Sequence, residues 1–162
     1  MIHLIVGSTG AGKTTYAHEL KKTTQGVVFS IDLWNKILFL PDKKPTDGLE
    51  WFLNRIERAE RMIMDLIIQL EAANTDSILD LGFSKFEHRE KFRSFARDRN
   101  YASKIHFLNI PRELRQQRVI QRNQEQGPTY AFEVSQADFD FMEHYFERPS
   151  PEELNDGLVI KV

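Results

Sequence analysis

Residues 7–14 read GSTGAGKT and directly follow the apolar run IHLIV at residues 2–6. They match the pattern G-x-x-x-x-G-K-[ST] in full, between a predicted buried strand and a predicted helix at about 12–22. The three glycines let the backbone turn tightly, so that successive N–H groups converge on phosphate oxygens, and the helix N-terminus adds a positive dipole. The motif therefore predicts a site for a nucleoside triphosphate.

Within this loop, two side chains have predicted chemical roles. Lys13 brings a compact positive charge to the β- and γ-phosphates, and the Thr14 hydroxyl suits the oxygen-seeking Mg²⁺. A glycine-rich turn with an accidental lysine is the alternative, which the strand before and the helix after disfavour. The predicted nucleotide-binding residues are Gly7, Ser8, Thr9, Gly10, Ala11, Gly12, Lys13, Thr14 and Thr15.

The rest of the chain alternates short apolar runs with helical patterns, which predicts an α/β class with a five-stranded parallel sheet between layers of helices. Asp47 and Glu50 resemble a capping box that opens a long helix, and Ser135 is the predicted N-cap of a late helix. The remaining strands are predicted at 27–31, 77–81, 105–110 and 158–162.

Composition limits the function classes further. The chain has 162 residues, 41% of them hydrophobic, which fits a single domain over residues 1–162 with an adequate core. The absence of cysteine excludes disulfides, thiolate metal sites and cysteine nucleophiles. The net charge of −2 gives no global signal for nucleic acid, and no apolar run approaches the length of a membrane span. We expect a cytoplasmic protein without a membrane partner.

Two aspartates lie near the predicted carboxyl ends of strands, where ligands bind in open α/β sheets. Asp32 follows the second strand, further from the loop, and is predicted to orient and deprotonate an acceptor hydroxyl. Asp80 follows Ile78 and Leu79 and is predicted to hold Mg²⁺ with Thr14. The structural alternatives are a helix N-cap for Asp32 and a satisfied turn before Gly82 for Asp80.

Arginines follow the fourth predicted strand on one helix. Spacings of three and four residues place Arg115, Arg118 and Arg122 roughly on one face, where their mutual repulsion favours a bound anion. Arginine forks match the charge that gathers on a transferring phosphoryl group, so Arg118 and Arg122 are predicted catalytic residues beside Lys13 and Asp32. The alternative is a solvated basic face. Arg89 and Arg93, four residues apart, are candidates to receive an anionic acceptor.

In combination, GSTGAGKT, Asp32, ILDLGF and the arginine pair 118 and 122 resemble the small P-loop kinases. Within them the chain is most similar to the ATP-binding kinases grouped with zeta toxin, chloramphenicol phosphotransferase and polynucleotide kinase, and FEVSQADFDFMEHYFERPSPEE at 132–153 resembles a stretch in that group. The resemblance implies the sheet order 2-3-1-4-5, ATP with Mg²⁺ as donor, Asp32 as base and a mobile lid at about 111–131. Polynucleotide kinases usually carry arginine where this chain has Asn35.

These observations predict a kinase that transfers the γ-phosphoryl group of ATP to a hydroxyl of a small molecule or nucleotide. One alternative is a polynucleotide 5′-hydroxyl kinase, which only the basic segment 85–104 supports, so nucleic acid is not the favoured partner. The other is a nucleotide-binding switch or NTPase without an acceptor.

Overall fold

A computed structural model describes residues 1–127, 130 and 132–161 of the chain. Its five strands form one parallel sheet in the order β2-β3-β1-β4-β5, which confirms the predicted order. The strands are β1 (Ile2–Val6), β2 (Val27–Ser30), β3 (Ser77–Asp80), β4 (Ser103–Leu108) and β5 (Leu158–Ile160). Each lies within two residues of its predicted bounds, and the predicted last residue of β5, Val162, lies outside the described residues.

Helices connect the strands, as the alternating pattern predicted. The short second helix, Ile31–Trp34, continues into a π-helical turn at Asn35–Phe39 and a 3₁₀ turn at Leu40–Asp42. In the described part of the chain the α-helices are α1 (Lys13–Thr24), α2 (Ile31–Trp34), α3 (Leu49–Ala72), α4 (Phe86–Asp98), α5 (Arg112–Glu125) and α6 (Gln136–Tyr145).

The central strands β1, β3 and β4 are largely buried on both faces, which explains why they are nearly continuous apolar runs. On β1, Leu4 packs into the cluster formed with α3 and α4, whereas Ile5 packs into the cluster formed with α1. Helices therefore cover the sheet on both sides, and the predicted three-layer arrangement is confirmed.

Helix capping followed the sequence signal in one case and departed from it in another. Ser135 caps α6 in a full capping box with Asp138, as predicted for the N-cap. The predicted box at Asp47 and Glu50 is wrong: Gly48 is the N-cap of α3, and the Asp47 carboxylate instead accepts from the backbone N–H of Lys44. Asp47 satisfies the preceding turn, so it is not available to the helix.

Parallel strands bring their carboxyl ends to one edge of the sheet, and this edge carries the candidate site. The phosphate-loop motif follows β1 at this edge. β2 and β3 pair so that Ser30 lies opposite Asp80, and Asp32 lies two residues after the end of β2. The predicted loop and both predicted carboxylates therefore share one edge.

Candidate active site

The loop after β1 needs glycine at two positions for different reasons. Gly10 and Gly12 have φ values of +79° and +89°, in the left-handed region that favours glycine. A Cβ on Gly10 would also clash with the carbonyl oxygen of Arg115, because α5 packs directly on the loop. Gly12 immediately precedes α1, so the loop delivers the chain to a helix N-terminus, the arrangement that binds phosphate.

Lys13 folds back over the loop that precedes it. Its ammonium donates to the carbonyl oxygens of Gly7 at 2.9 Å and Ser8 at 3.3 Å. Burial lowers the pKa of Lys13, and the nearby carboxylates of Asp80 and Asp32 oppose that shift. The charge is thus held over the loop without an ion pair to a carboxylate in the described residues.

Thr14 and Asp80 meet below the loop. The Thr14 hydroxyl donates to Oδ2 of Asp80 at 2.7 Å, and Asp80 is the buried last residue of β3. Both side chains offer hard oxygen ligands, which Mg²⁺ prefers. Among the described residues no three acidic, histidine or cysteine side chains form a metal-binding group. The pair therefore fits a Mg²⁺ that takes most of its ligands from nucleotide phosphates and water.

Asp32 lies in the first turn of α2, two residues beyond β2. Ser30 is the N-cap of this helix and accepts from the Leu33 N–H, so the alternative role of Asp32 as the cap is wrong. Partial desolvation raises the pKa of the Asp32 carboxyl, and the negative charge of Asp80 raises it further. The positive charges of Lys13 and Arg122 oppose this rise. Water still reaches this exposed side chain at the edge of the cleft, which limits the shift.

Arg115, Arg118 and Arg122 of α5 all lie on the side of the helix that faces the loop, as their spacing predicted, but they have different partners. Arg115 is buried and paired with Glu143 through two bonds of 2.5 and 2.7 Å, so its charge is not available to an anion. Arg118 donates to the carbonyl oxygen of Ala11 at 3.4 Å. Arg122 has a buried Nε with no hydrogen-bond partner in the described residues, and its charge acts on both Lys13 and Asp32.

Glu143 on α6 is the site residue that the sequence did not reveal. Besides pairing with Arg115, its carboxylate accepts from the Ser8 hydroxyl at 2.6 Å, and Arg115 donates to the carbonyl oxygen of Thr9 at 3.1 Å. Helices α5 and α6 thus hold the second and third residues of the loop. Glu143 lies within the stretch 132–153 that resembles the kinase group, but that resemblance assigns no role to any residue in it.

The two arginines proposed to receive an anionic acceptor are already engaged, so that prediction is wrong. Arg89 is 1% exposed and donates to both carboxylate oxygens of Glu153, at 2.6 and 3.1 Å. Arg93 pairs with Glu90 at 2.6 Å. Much of the basic segment 85–104 is neutralised in the same way, because Lys85 pairs with Glu147, Lys91 with Glu60 and Arg97 with Glu90.

A strand, a glycine-rich loop with lysine, and a helix, placed at the carboxyl edge of a sheet ordered 2-3-1-4-5, define a P-loop nucleotide-binding protein with a kinase-like fold. The chain belongs to the AAA domain family, whose match spans residues 2–149. No curated protein matches the chain significantly.

Solved structures show the same fold at low identity. Kti12 of Chaetomium thermophilum in complex with ADP-AlF3 is 15% identical with a TM-score of 0.68, over 99% of this chain and 89% of that one. The APS kinase CysC of Mycobacterium tuberculosis, in complex with AMPPNP and APS, is 15% identical with a TM-score of 0.64, over 99% and 87%. A sugar kinase of Janibacter sp. HTCC2649 is 17% identical with a TM-score of 0.61, over 99% and 84%.

None of the helices in the described part of the chain combines the length and the hydropathy needed to cross a bilayer.

Proposed function

We propose that this protein is an ATP-dependent phosphotransferase that acts on a hydroxyl of a small molecule or nucleotide. The observation that carries the proposal is the 2.7 Å hydrogen bond from Thr14 to Asp80 beneath a complete phosphate loop. Asp32 and Arg122 act electrostatically on the same lysine, Lys13, so a phosphate ligand, a metal ligand pair and a candidate base converge.

In the proposed reaction, the loop N–H groups and Lys13 hold the β- and γ-phosphates of ATP. The acceptor oxygen forms a bond to the γ-phosphorus while the bond from that phosphorus to the β–γ bridging oxygen breaks, and ADP leaves. Arg118 and Arg122 extend from α5 to the loop and cleft, where their guanidinium groups stabilise charge on the transferring phosphoryl group.

Asp32 receives the proton that the acceptor hydroxyl loses. A base works best when its pKa approaches the working pH, and the direction of the Asp32 shift is upward. Thr14 and Asp80 would hold the Mg²⁺, which when bound neutralises charge on the phosphates. These roles, and a lid over about 111–131, are part of the proposal; Pro128, Thr129 and Ala131 of that segment lie outside the described residues.

The alternative of a polynucleotide kinase loses its main support, because most of the basic side chains in segment 85–104 form ion pairs within the protein. A nucleotide switch remains the alternative that an experiment must separate. A kinase hydrolyses ATP slowly alone and faster with one acceptor, whereas a switch binds ATP with little response to any acceptor.

The test is an ADP-release screen over nucleosides, sugars, antibiotics and 5′-hydroxyl oligonucleotides, with Lys13→Ala and Lys21→Ala compared. Lys21 is an exposed lysine at the far end of α1, so its replacement should change nothing. Lys13→Ala should abolish most ATP-dependent activity with thermal stability nearly unchanged. Undiminished ATP binding and turnover in Lys13→Ala would overturn the phosphate-loop assignment, and no acceleration by any acceptor would favour the switch.

A further inference from the structure

Large aliphatic side chains are exposed on the connection that follows Asp32. Leu33, Ile37 and Leu38 are 50%, 61% and 54% exposed. Single exposed leucines are common, but several on one short segment mark a binding surface. The segment also contains the π-helical turn at Asn35–Phe39, a distortion that occurs mostly at functional sites.

This surface lies beside the proposed base. Leu33 is the residue next to Asp32, so their Cα atoms are about 3.8 Å apart. Asn35, one turn further, has a buried Oδ1 without a hydrogen-bond partner in the described residues. Lys36 donates to the carbonyl oxygen of Tyr130 at 3.3 Å, which brings the end of the proposed lid to the same connection. Leu33 and Ile37 lie four residues apart on this connection, so an acceptor that extends from Asp32 along it also meets their side chains.

In the described part of the chain, the charges around Asp32 leave no free cation for a phosphorylated acceptor, because Lys13 and Arg122, which act on Asp32, are assigned to the phosphates of ATP in the proposed reaction. Arg89 and Arg93 are bound to Glu153 and Glu90, so neither offers a free fork for bidentate binding of phosphate. Lys36 is a single point charge that already donates to a carbonyl oxygen. What the connection presents to solvent beside Asp32 is mainly aliphatic.

We infer that the acceptor is an uncharged alcohol or phenol whose apolar body packs on Leu33 and Ile37 while its hydroxyl meets Asp32. This inference rests on the proposed phosphotransferase function and narrows its substrate class. It makes Leu33 and Ile37 specificity residues rather than catalytic residues, because they touch the part of the acceptor that does not react.

The chain has two tryptophans, and one of them, Trp34, belongs to this connection, which permits a binding measurement that does not depend on turnover. Trp34 follows Leu33, and Trp51 lies in the first turn of α3. We would titrate the protein with 3-phenyl-1-propanol, glycerol and glycerol 3-phosphate in the presence of Mg²⁺ and ATP. Tryptophan emission reports binding, and ADP release reports transfer in the same samples.

The expected result is a saturable emission change and faster ADP release with 3-phenyl-1-propanol, and weaker effects with the other two compounds. Leu33→Ser should weaken the binding of 3-phenyl-1-propanol by about five- to tenfold, the range for partial burial of one leucine. Leu158→Ser is the matched control, because Leu158 is 46% exposed on β5, at the opposite edge of the sheet. The Leu158→Ser variant should bind 3-phenyl-1-propanol as tightly as the wild type does.

Three results would overturn the inference. They are tighter binding of glycerol 3-phosphate, no saturable response to 3-phenyl-1-propanol, or a dimer in solution that Leu33→Ser dissociates, since a second copy would then cover the surface. Transfer to glycerol or glycerol 3-phosphate alone would contradict this inference and retain the phosphotransferase. Binding of 3-phenyl-1-propanol at Leu33 without transfer to any compound would support the apolar site and contradict the phosphotransferase.

Discussion

At the scale of single residues, the Thr14–Asp80 hydrogen bond links the phosphate loop to a neighbouring strand. The donor lies in the first turn of α1 and the acceptor ends β3, so this contact depends on strands β1 and β3 being adjacent in the sheet. It holds both oxygens where a Mg²⁺ bound to the phosphates of ATP could share them. The contact thus ties the sheet order directly to the chemistry we propose.

Replacing Thr14 with valine keeps the side-chain shape but removes the hydroxyl. We predict that Thr14→Val weakens ATP binding at saturating Mg²⁺ by about tenfold or more, roughly the worth of one hydrogen bond to a charged group. Thr14→Ser should bind ATP nearly as the wild type does. Thr23→Val, at the exposed end of α1, is the control. Titrating ATP at several Mg²⁺ concentrations measures the effect, and equal Mg²⁺ dependence in Thr14→Val and wild type would contradict the assignment.

At the scale of elements, α5 and α6 act together on the phosphate loop. Arg115 on α5 donates to the carbonyl oxygens of Ile110 and Thr9, and Glu143 on α6 accepts from both Arg115 and Ser8. The hydrogen bond from Arg115 holds the pKa of Glu143 below its usual range. The two helices therefore support the shape of the loop through its second and third residues, Ser8 and Thr9.

We predict that Glu143→Ala lowers the free energy of unfolding by about 3 kcal/mol, because it leaves the largely buried Arg115 without its partner. It should also weaken ATP binding, since Ser8 and Thr9 lose their fixed positions. The double variant Arg115→Met/Glu143→Leu should recover much of the stability, because an apolar pair replaces the ion pair, but not the ATP affinity. Urea unfolding and ATP titration measure the two effects, with exposed Glu152→Ala as the control.

Recovery of both stability and ATP affinity in the double variant would contradict a positioning role for Glu143. The pair would then contribute to folding alone. An unaltered free energy of unfolding in Glu143→Ala would show instead that water replaces the carboxylate at Arg115.

At the scale of the whole molecule, a buried polar network crosses the sheet away from the candidate site. His106 on β4 bonds to His3 on β1 at 2.9 Å and to the Tyr16 hydroxyl on α1 at 2.8 Å. Asp76, just before β3, bonds to His3 at 3.1 Å. Burial lowers the pKa of His106 to about 4, and the charges of His3 and Lys104 add to the effect. The fold therefore requires His106 to be neutral.

Because the folded protein requires a neutral His106, its free energy of unfolding falls as the pH is lowered. In the unfolded chain His106 binds a proton near its ordinary pKa of 6.5, but in the folded protein only near 4. The unfolded state thus binds more protons between these values, so stability is full above pH 6.5 and falls as the pH approaches 4. We predict that this residue contributes roughly 2–4 kcal/mol of the loss.

Urea unfolding of wild type and His106→Leu at pH 7 and pH 4.5 measures this contribution. The wild type should lose more stability than His106→Leu over this interval, while His18→Gln, which changes an exposed histidine of α1, should behave as the wild type. Equal losses in wild type and His106→Leu would show that carboxylates alone cause the acid sensitivity.

How far the sequence predicts this molecule depends on whether a residue's role is set locally. The strand and helix that flank the loop motif and the Ser135 cap are local, because each needs only neighbours within a few residues, and both predictions are confirmed. The α5 arginines were placed on the correct side by spacing, since helical periodicity is local too. The fold class followed from the alternation of apolar runs.

Pairing between distant residues could not be predicted in the same way. Arg89 pairs with Glu153, which is 64 positions away, and Arg115 pairs with Glu143 across two helices. Spacing shows where a charge points but not whether a carboxylate from another segment meets it. The predicted acceptor role of Arg89 failed for this reason, and Glu143 was missed for the same reason.

The central claim is that Asp32 accepts the proton of an acceptor hydroxyl, and Asp32→Asn tests it most directly. Asparagine keeps the shape, while Lys13, Thr14 and the loop amides still bind ATP, so affinity for ATP with Mg²⁺ should remain within a few-fold. Acceptor-dependent transfer should fall by roughly 10²–10⁴-fold, the usual contribution of a positioned base. Both quantities are measured for both proteins with the acceptor that most accelerates ADP release. Transfer that survives in Asp32→Asn within a factor of about three, well short of that range, would contradict the account and make Asp80 the next candidate for the base.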